Sequence, residues 1–416
     1  MVSEPASGGW SFGAVLRSLA VLVLAGVALW LSMAITIAMV LGARAPEQAL
    51  GWWPPSAGAR AALASHLLES PPSRASVARA SELARAALRR EPVNVVASRT
   101  LGLTAALGGD QAGAGRLFAY SESLSRRDVP TQMWLIEDRV QHGDIAGALL
   151  HYDRALRVSE SIRDVLLPIM VQASADPAIA AQETRLVATR PLWWPYFVDY
   201  LLSQGRSPRT MAEIISRIRL DPGTESERQR LGHALNQLVT LGAYREAYAI
   251  YRQALGGRVG GGFVRNGDFE AGGGLGTFDW TFVDEPDLAA VREFRDGASG
   301  SVALSLVSSS GRGGEVARQL VLLPPGTYLL AAKAGVVPED VSNRPMISLL
   351  CAGQPPHNLT QIRLPFSGPA GARSTLRFVV PATGCPAQWL TISTGASPDE
   401  QGSTPWVDQI EIAAAH

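Results

Sequence analysis

"GGRVGGGFVRNGDFEAGGGLGTFDW", residues 256–280, separates two halves of the chain that follow different periodicities. Before it, apolar residues recur at helical spacing; after it the period falls to two, the spacing of strands with one buried face. Whether this glycine-rich stretch is a slack linker or the opening of a second domain decides the fold. The 416 residues leave room for two or three domains, because a single core stops growing well below that length.

Upstream, residues 60–256 contain an internal repeat. "GDQAGAGRLFAYS" begins at Gly109 and "GDIAGALLHYDRA" at Gly143, an offset of 34 residues. One period earlier, Ala80 and Ala87 hold the small positions of the unit that starts at Ala75. At Gly242, "GAYREAYAIYRQAL" places Ala247, Tyr251 and Ala254 where Ala148, Tyr152 and Ala155 stand. Such periods mark helix pairs that must stack to bury their apolar faces. The spacing resembles the tetratricopeptide repeat, with Leu101 and Gly102 on that family's first-helix pair and Ala114 and Phe118 on its small and aromatic positions. Most first-helix Trp and Tyr positions are lost, and residues 177–241 keep only the helical rhythm. The expectation is five or six degenerate repeats over 75–255, with a curved surface that holds a partner or serves as a spacer. "RPLWWPYFVDYL" puts Trp193 and Trp194 at the start of a helix, either as a partner-binding spot or as packing between repeats.

Downstream, residues 263–413 read as short strands bounded by Gly, Pro, Ser and Asp: "SVALSLVSS" (301–309), "EVARQLVLL" (315–323), "GTYLLAAKAGV" (326–336), "MISLLCA" (346–352), "LTQIRLPF" (359–366), "STLRFVVP" (374–381), "QWLTIST" (388–394) and "PWVDQIEIA" (405–413). That spacing predicts an all-β jelly-roll sandwich, joined to the helices by a glycine linker over 257–262. Strict alternation puts Trp406, Asp408, Ile410 and Ile412 on one face, so Asp408 would be a carboxylate among core residues that needs a hydrogen-bonded partner or a metal. Arginine pairing and the capping of a turn remain open for it. "NGDFE", "FDW" and the closing "WVDQIEI" resemble the first and last strands of jelly-roll carbohydrate-binding modules of the galactose-binding-like group. The matching positions are Asn266, Gly267, Phe269, Glu270, Trp280 and Asp408. The resemblance implies a structural calcium held by Glu270 and Asp408, with Asp268 as a further ligand. It also implies glycan stacking on aromatics, for which Trp280, Tyr328, Trp389 and Trp406 are available, each with core packing as its alternative.

Residues 18–43 carry no charge over 26 positions, enough for a helix that crosses a bilayer, with a cleavable signal peptide as the rival reading. Arg17 and Arg44 flank the segment evenly and do not orient it. Cys351 and Cys385, the two cysteines, are expected either as a disulfide or as separate buried thiols; the first fits an exported domain with residues 1–17 left in the cytoplasm. The 37 basic and 37 acidic residues balance, which gives no field for nucleic acid. The histidines at 66, 142, 151, 233, 357 and 416 form no zinc pair, and no phosphate loop, dinucleotide fingerprint or nucleophile elbow occurs. Acidic pairs such as Asp284–Glu285 and Asp399–Glu400 sit in loop-like surroundings, so the chain is expected not to be an enzyme. The whole arrangement resembles tetratricopeptide accessory proteins of bacterial polysaccharide export. That resemblance implies an inner-membrane-anchored periplasmic scaffold that holds secretion-complex proteins and touches exopolysaccharide. The alternatives are a structural envelope assembly or adhesion factor without glycan binding, and an enzyme whose site forms within the sandwich.

Overall fold

The computed structural model describes residues 12–257, 262–309, 311–353, 356–396 and 404–415. Residues 258–261 of the glycine stretch, residues 1–11 of the N-terminal tail, the pair Asp399–Glu400 and His416 lie outside the described residues. The chain is a helical array followed by a β-sandwich, and it divides into two compact units, Met1–Leu166 and Leu167–His416.

The first unit holds α1 (Phe12–Leu41), α2 (Pro46–Trp52), α3 (Ala57–His66), α4 (Arg74–Arg90), α5 (Val95–Leu107), α6 (Gln111–Leu124), α7 (Val129–Gln141) and α8 (Ile145–Val158). Within α1, Val15–Leu41 is long and apolar enough to cross a membrane, at a mean hydropathy of 2.4. Its C-terminal end is tied to the next two helices, because Ala38 packs with Ala49 of α2 and Ala59 of α3. The repeat seen in the sequence has a local structural counterpart. Gly109 and Gly143 both take left-handed backbone, at φ 85° and 69°. Each precedes an aspartate that caps the next helix: Asp110 accepts from the Gly113 amide at 2.7 Å and Asp144 from the Gly147 amide at 2.8 Å. Gly102 is fixed by packing, since a Cβ there would lie 2.8 Å from the Phe118 ring. Phe118 in turn stacks on Trp134 of α7 at 4.2 Å between centroids.

The division falls within α9 (Arg163–Ala173); beyond it come α10 (Pro177–Val187), α11 (Trp194–Gln204), α12 (Pro208–Ile218), α13 (Glu225–Thr240) and α14 (Tyr244–Ala254). On α10, Glu183 is 1% exposed, and its Oε2 lies 2.6 Å from the Ser174 hydroxyl. That hydroxyl also lies 3.0 Å from the Met170 carbonyl, which can only accept. The Ser174 hydroxyl donates to this carboxyl, with the Met170 carbonyl as its alternative acceptor. Burial pushes this carboxyl up to about 7, with the Ser174 hydrogen bond pulling the other way. A carboxyl whose pKa is raised on folding stabilises most below its unfolded value, and that stability is lost as pH rises through the folded one. Stability should therefore fall by about 3 kcal/mol between pH 4.5 and pH 7–8 and stay level above, following ~1.36 kcal/mol per pH unit. Thermal melts of wild type and Glu183→Gln across that range check this: the glutamine variant should lose most of the slope.

The sandwich comprises β1 (Thr281–Phe282), β2 (Asp284–Glu285), β3 (Leu288–Phe294), β4 (Val302–Ser308), β5 (Gly314–Val321), β6 (Gly326–Gly335), β7 (Met346–Cys351), β8 (His357–Arg363), β9 (Ala372–Val380), β10 (Gln388–Thr394) and β11 (Trp406–Ala414). A five-stranded sheet runs β1-β5-β10-β7-β8 and a six-stranded sheet β2-β3-β4-β11-β6-β9, all pairs antiparallel. From β4 to β7, and again from β8 to β11, successive strands alternate between the sheets, the jelly-roll path. The core between them takes Leu304, Leu306, Leu330, Ala332, Ile347, Leu349, Leu390 and Ile392, one side of each strand.

The expected alternation along β11 is interrupted. Its register against β6 shifts between Asp408 and Glu411, and Gln409 takes left-handed backbone at φ 48°. Val407 therefore joins Ile410 and Ile412 in the core, while Trp406 and Asp408 turn to the far side of the six-stranded sheet. A bulge adds one residue and flips the side chains, which the period-two reading of the sequence could not register.

Hydrogen bonds and ring contacts reach across the glycine stretch inside the second unit. The Tyr251 hydroxyl of α14 donates to Asp279 Oδ1 at 2.7 Å, and Arg265 Nε donates to the same oxygen at 3.1 Å. Phe278 sits 5.2 and 5.3 Å from the rings of Tyr251 and Tyr248. The Thr277 hydroxyl bonds Asn236 of α13, and the Tyr244 hydroxyl bonds the Ala352 carbonyl. The residues after the glycines thus seat the sandwich on the last two helices.

Candidate functional site

Of the four aromatics named as glycan platforms, three are withdrawn from solvent. Trp280 packs against Phe269 at 5.3 Å in the core and donates its indole N–H to the Asn266 carbonyl at 3.2 Å. Tyr328 belongs to the same core, stacks on Phe378 at 5.7 Å and donates to the Pro324 carbonyl. Trp406, 1% exposed, lies on the far side of the six-stranded sheet in a slot between two glycines. A Cβ on Gly335 or on Gly371 would collide with its indole.

Trp389 differs, being half-buried near the middle of the five-stranded sheet on the face turned away from the core. Its neighbours in register are Leu320 of β5 and Leu350 of β7, with Asn358 of β8 next across the sheet. The following row reads Thr281, Arg318, Thr391, Ser348 and Gln361. Thr391 and Ser348 are buried at the base of this face, while Arg318, Gln361 and Asn358 are exposed. The Arg318 guanidinium lies over the Trp389 ring, 5.0 Å from its centroid, and Glu315 stands 3.9 Å from Arg318. Burial lifts the Glu315 carboxyl above its ordinary range against the pull of Arg318. The face thus offers one half-buried indole, with Arg318 over its ring, beside a line of hydrogen-bonding side chains.

No family model and no curated protein matches the chain. Solved structures do show a likeness at low identity. A family 16 carbohydrate-binding module is 16% identical with a TM-score of 0.27, covering 36% of this chain and 99% of its own. TmCBM61, solved with β-1,4-galactotriose, is 15% identical with a TM-score of 0.26, covering 38% of this chain and 100% of its own. The C-terminal family 22 module of Clostridium thermocellum Xyn10B is 14% identical with a TM-score of 0.26, covering 36% and 91%.

The residues named for calcium converge in part. Glu270 Oε1 accepts from the Ser301 and Val302 amides at 2.7 and 2.9 Å, and these bonds hold its carboxyl below the usual range. Asp408, fully buried, accepts from the Ser299 amide at 2.8 Å and from the Gln409 amide at 2.7 Å. Both carboxylates therefore hold the loop of residues 295–302. Asp268 is exposed in the preceding turn. Among the described residues no three His, Cys, Asp or Glu side chains stand close enough to share a metal. The carboxylates face amide N–H groups, so the donor set does not suit an ion that requires six to eight oxygens.

Trp193 is buried and meets Phe197 edge-on at 6.1 Å, which assigns it to packing within the helices. Trp194 lies under two guanidinium groups, Arg190 at 5.1 Å and Arg230 at 5.6 Å. Arg190 is held by Glu227 and Arg230 by Asp199, so this tryptophan is part of a clamp between helices. Cys351 and Cys385 form a disulfide with Cα atoms 5.1 Å apart, joining the end of β7 to the loop before β10. Three contributors escaped the sequence reading. Arg318 over Trp389 carried no motif, Asp279 stands inside "FDW" without a role of its own there, and Lys333, the sole lysine, has no local pattern around it.

Proposed function

We propose that the chain is a non-catalytic binding protein, anchored in a bacterial inner membrane through α1 with its bulk in the periplasm. In this reading its sandwich takes a glycan on the Trp389 face, and its helices hold protein partners in an envelope process such as exopolysaccharide assembly or export. The observation that carries the reading is Trp389 itself, a half-buried indole on the outward sheet face with Asn358, Gln361 and Arg318 exposed beside it. Pyranose rings stack their C–H faces on such a ring while neighbouring polar groups bind the hydroxyls. The contact of Ala38 with Ala49 and Ala59 favours a retained anchor, because signal cleavage would strip that face of α2 and α3. Arg318 over the ring favours a second reading, a structural envelope factor that binds no glycan, in which the arginine closes the platform.

A glycan array probed with the detergent-solubilised full chain separates the two. Saturable binding to a restricted set of glycans supports the first, and a uniformly negative array supports the second. Protease added to spheroplasts should digest residues 167–416; their survival until lysis would reverse the topology.

A further inference from the structure

We propose that the sandwich fixes its 295–302 loop with its own cations in the positions of a structural metal, so that it folds independently of calcium. Lys333, the only lysine in 416 residues, lies directly opposite Asp408 in the pairing of β6 with β11. Both side chains leave the far side of the six-stranded sheet, beneath the loop. The Lys333 ammonium donates to the Gly297 carbonyl at 2.6 Å, and Asp408 accepts from Ser299 two residues on. Glu270 takes the next two amides, those of Ser301 and Val302. On the other side of Glu270, Arg292 donates to the Phe269 carbonyl at 2.6 Å and to the Glu270 carbonyl at 3.0 Å.

A calcium ion would draw on two kinds of oxygen here, the carboxylates and the loop carbonyls. The carboxylates are occupied by backbone N–H groups, whose positive ends would face an incoming cation. The carbonyls of Phe269, Glu270 and Gly297 are occupied by Arg292 and Lys333. Four amides thus satisfy the two carboxylates and two side-chain cations take the carbonyls, and a divalent ion would have to break these bonds. The tether is compact: Gly297 takes left-handed backbone at φ 90° and abuts Ala370, where a Cβ would come within 3.0 Å.

This inference does not depend on glycan binding and is tested apart from it. The full chain is melted in detergent with calcium and with a chelator, and its metal content is measured by mass spectrometry. The expected result is the same melting temperature in both and no stoichiometric calcium. A lower melting temperature in chelator, restored by calcium, would overturn the proposal. Lys333→Met, which keeps the aliphatic stem, should melt below wild type in chelator. A variant as stable as wild type would remove Lys333 from the role assigned to it, while the wild-type chelator comparison stands without any variant.

Discussion

Replacing both Cys351 and Cys385 by alanine is expected to lower the stability of the second unit by about 4 kcal/mol. The disulfide joins residues 34 apart, and the loop-closure entropy withheld from the unfolded chain over that separation amounts to about 4 kcal/mol. The bond closes the end of the sandwich where β7 and β10 leave the sheet. Gln388 beside it also ties this end together, accepting from the Leu323 amide at 2.8 Å and donating to the Cys385 carbonyl at 3.1 Å. Native geometry around the cysteines is therefore secured by neighbours, which places the main effect of the crosslink on the unfolded state. Denaturant unfolding of the double variant should show a lowered midpoint, and reductant should shift wild type by a similar amount. An unchanged midpoint in both would mean that the bond constrains nothing the fold does not already fix.

The second large effect is expected at Gly335. The last residue of β6 has an ordinary strand conformation, so alanine meets no backbone strain there. Its Cβ, however, would fall on the Trp406 indole, which Gly371 confines from the other side. Because the buried ring is held between the two glycines, Gly335→Ala should cost about 3 kcal/mol, the upper end of the usual cost of overpacking a core. Pairing the change with Trp406→Leu provides the check, since the two losses should be far from additive. Additive losses would show that the glycine and the indole do not share the slot.

The architecture was legible because its signals are long and repeated. Eight of the downstream strands lie where period-two segments fall, and the turn glycines Gly109 and Gly143 stand at the starts of the repeating units. β3, "LAAVREF", carries a charge in the middle of a short apolar run and was not legible as a strand. The face taken by each aromatic was harder to read, for local reasons. The bulge at Gln409 reversed Trp406 and Asp408, and Trp280 entered the core through a turn rather than a strand. Trp389 faces outward because Leu390 and Ile392 on the same strand face the core, and its sequence pattern does not distinguish the two sides. Cationic partners such as Lys333 and Arg292 act through carbonyls distant in sequence, and no spacing rule announces them.

The Trp389 face is the part of the account on which glycan recognition stands. The measurement that tests it most directly is a binding titration of the full chain in detergent, run against a glycan selected on the array, for wild type and for Trp389→Ala with matched melting temperatures. Binding by the variant should be weaker by about tenfold or more, equivalent to about 1.4 kcal/mol. Equal binding by both proteins would contradict the assignment of the glycan to this face.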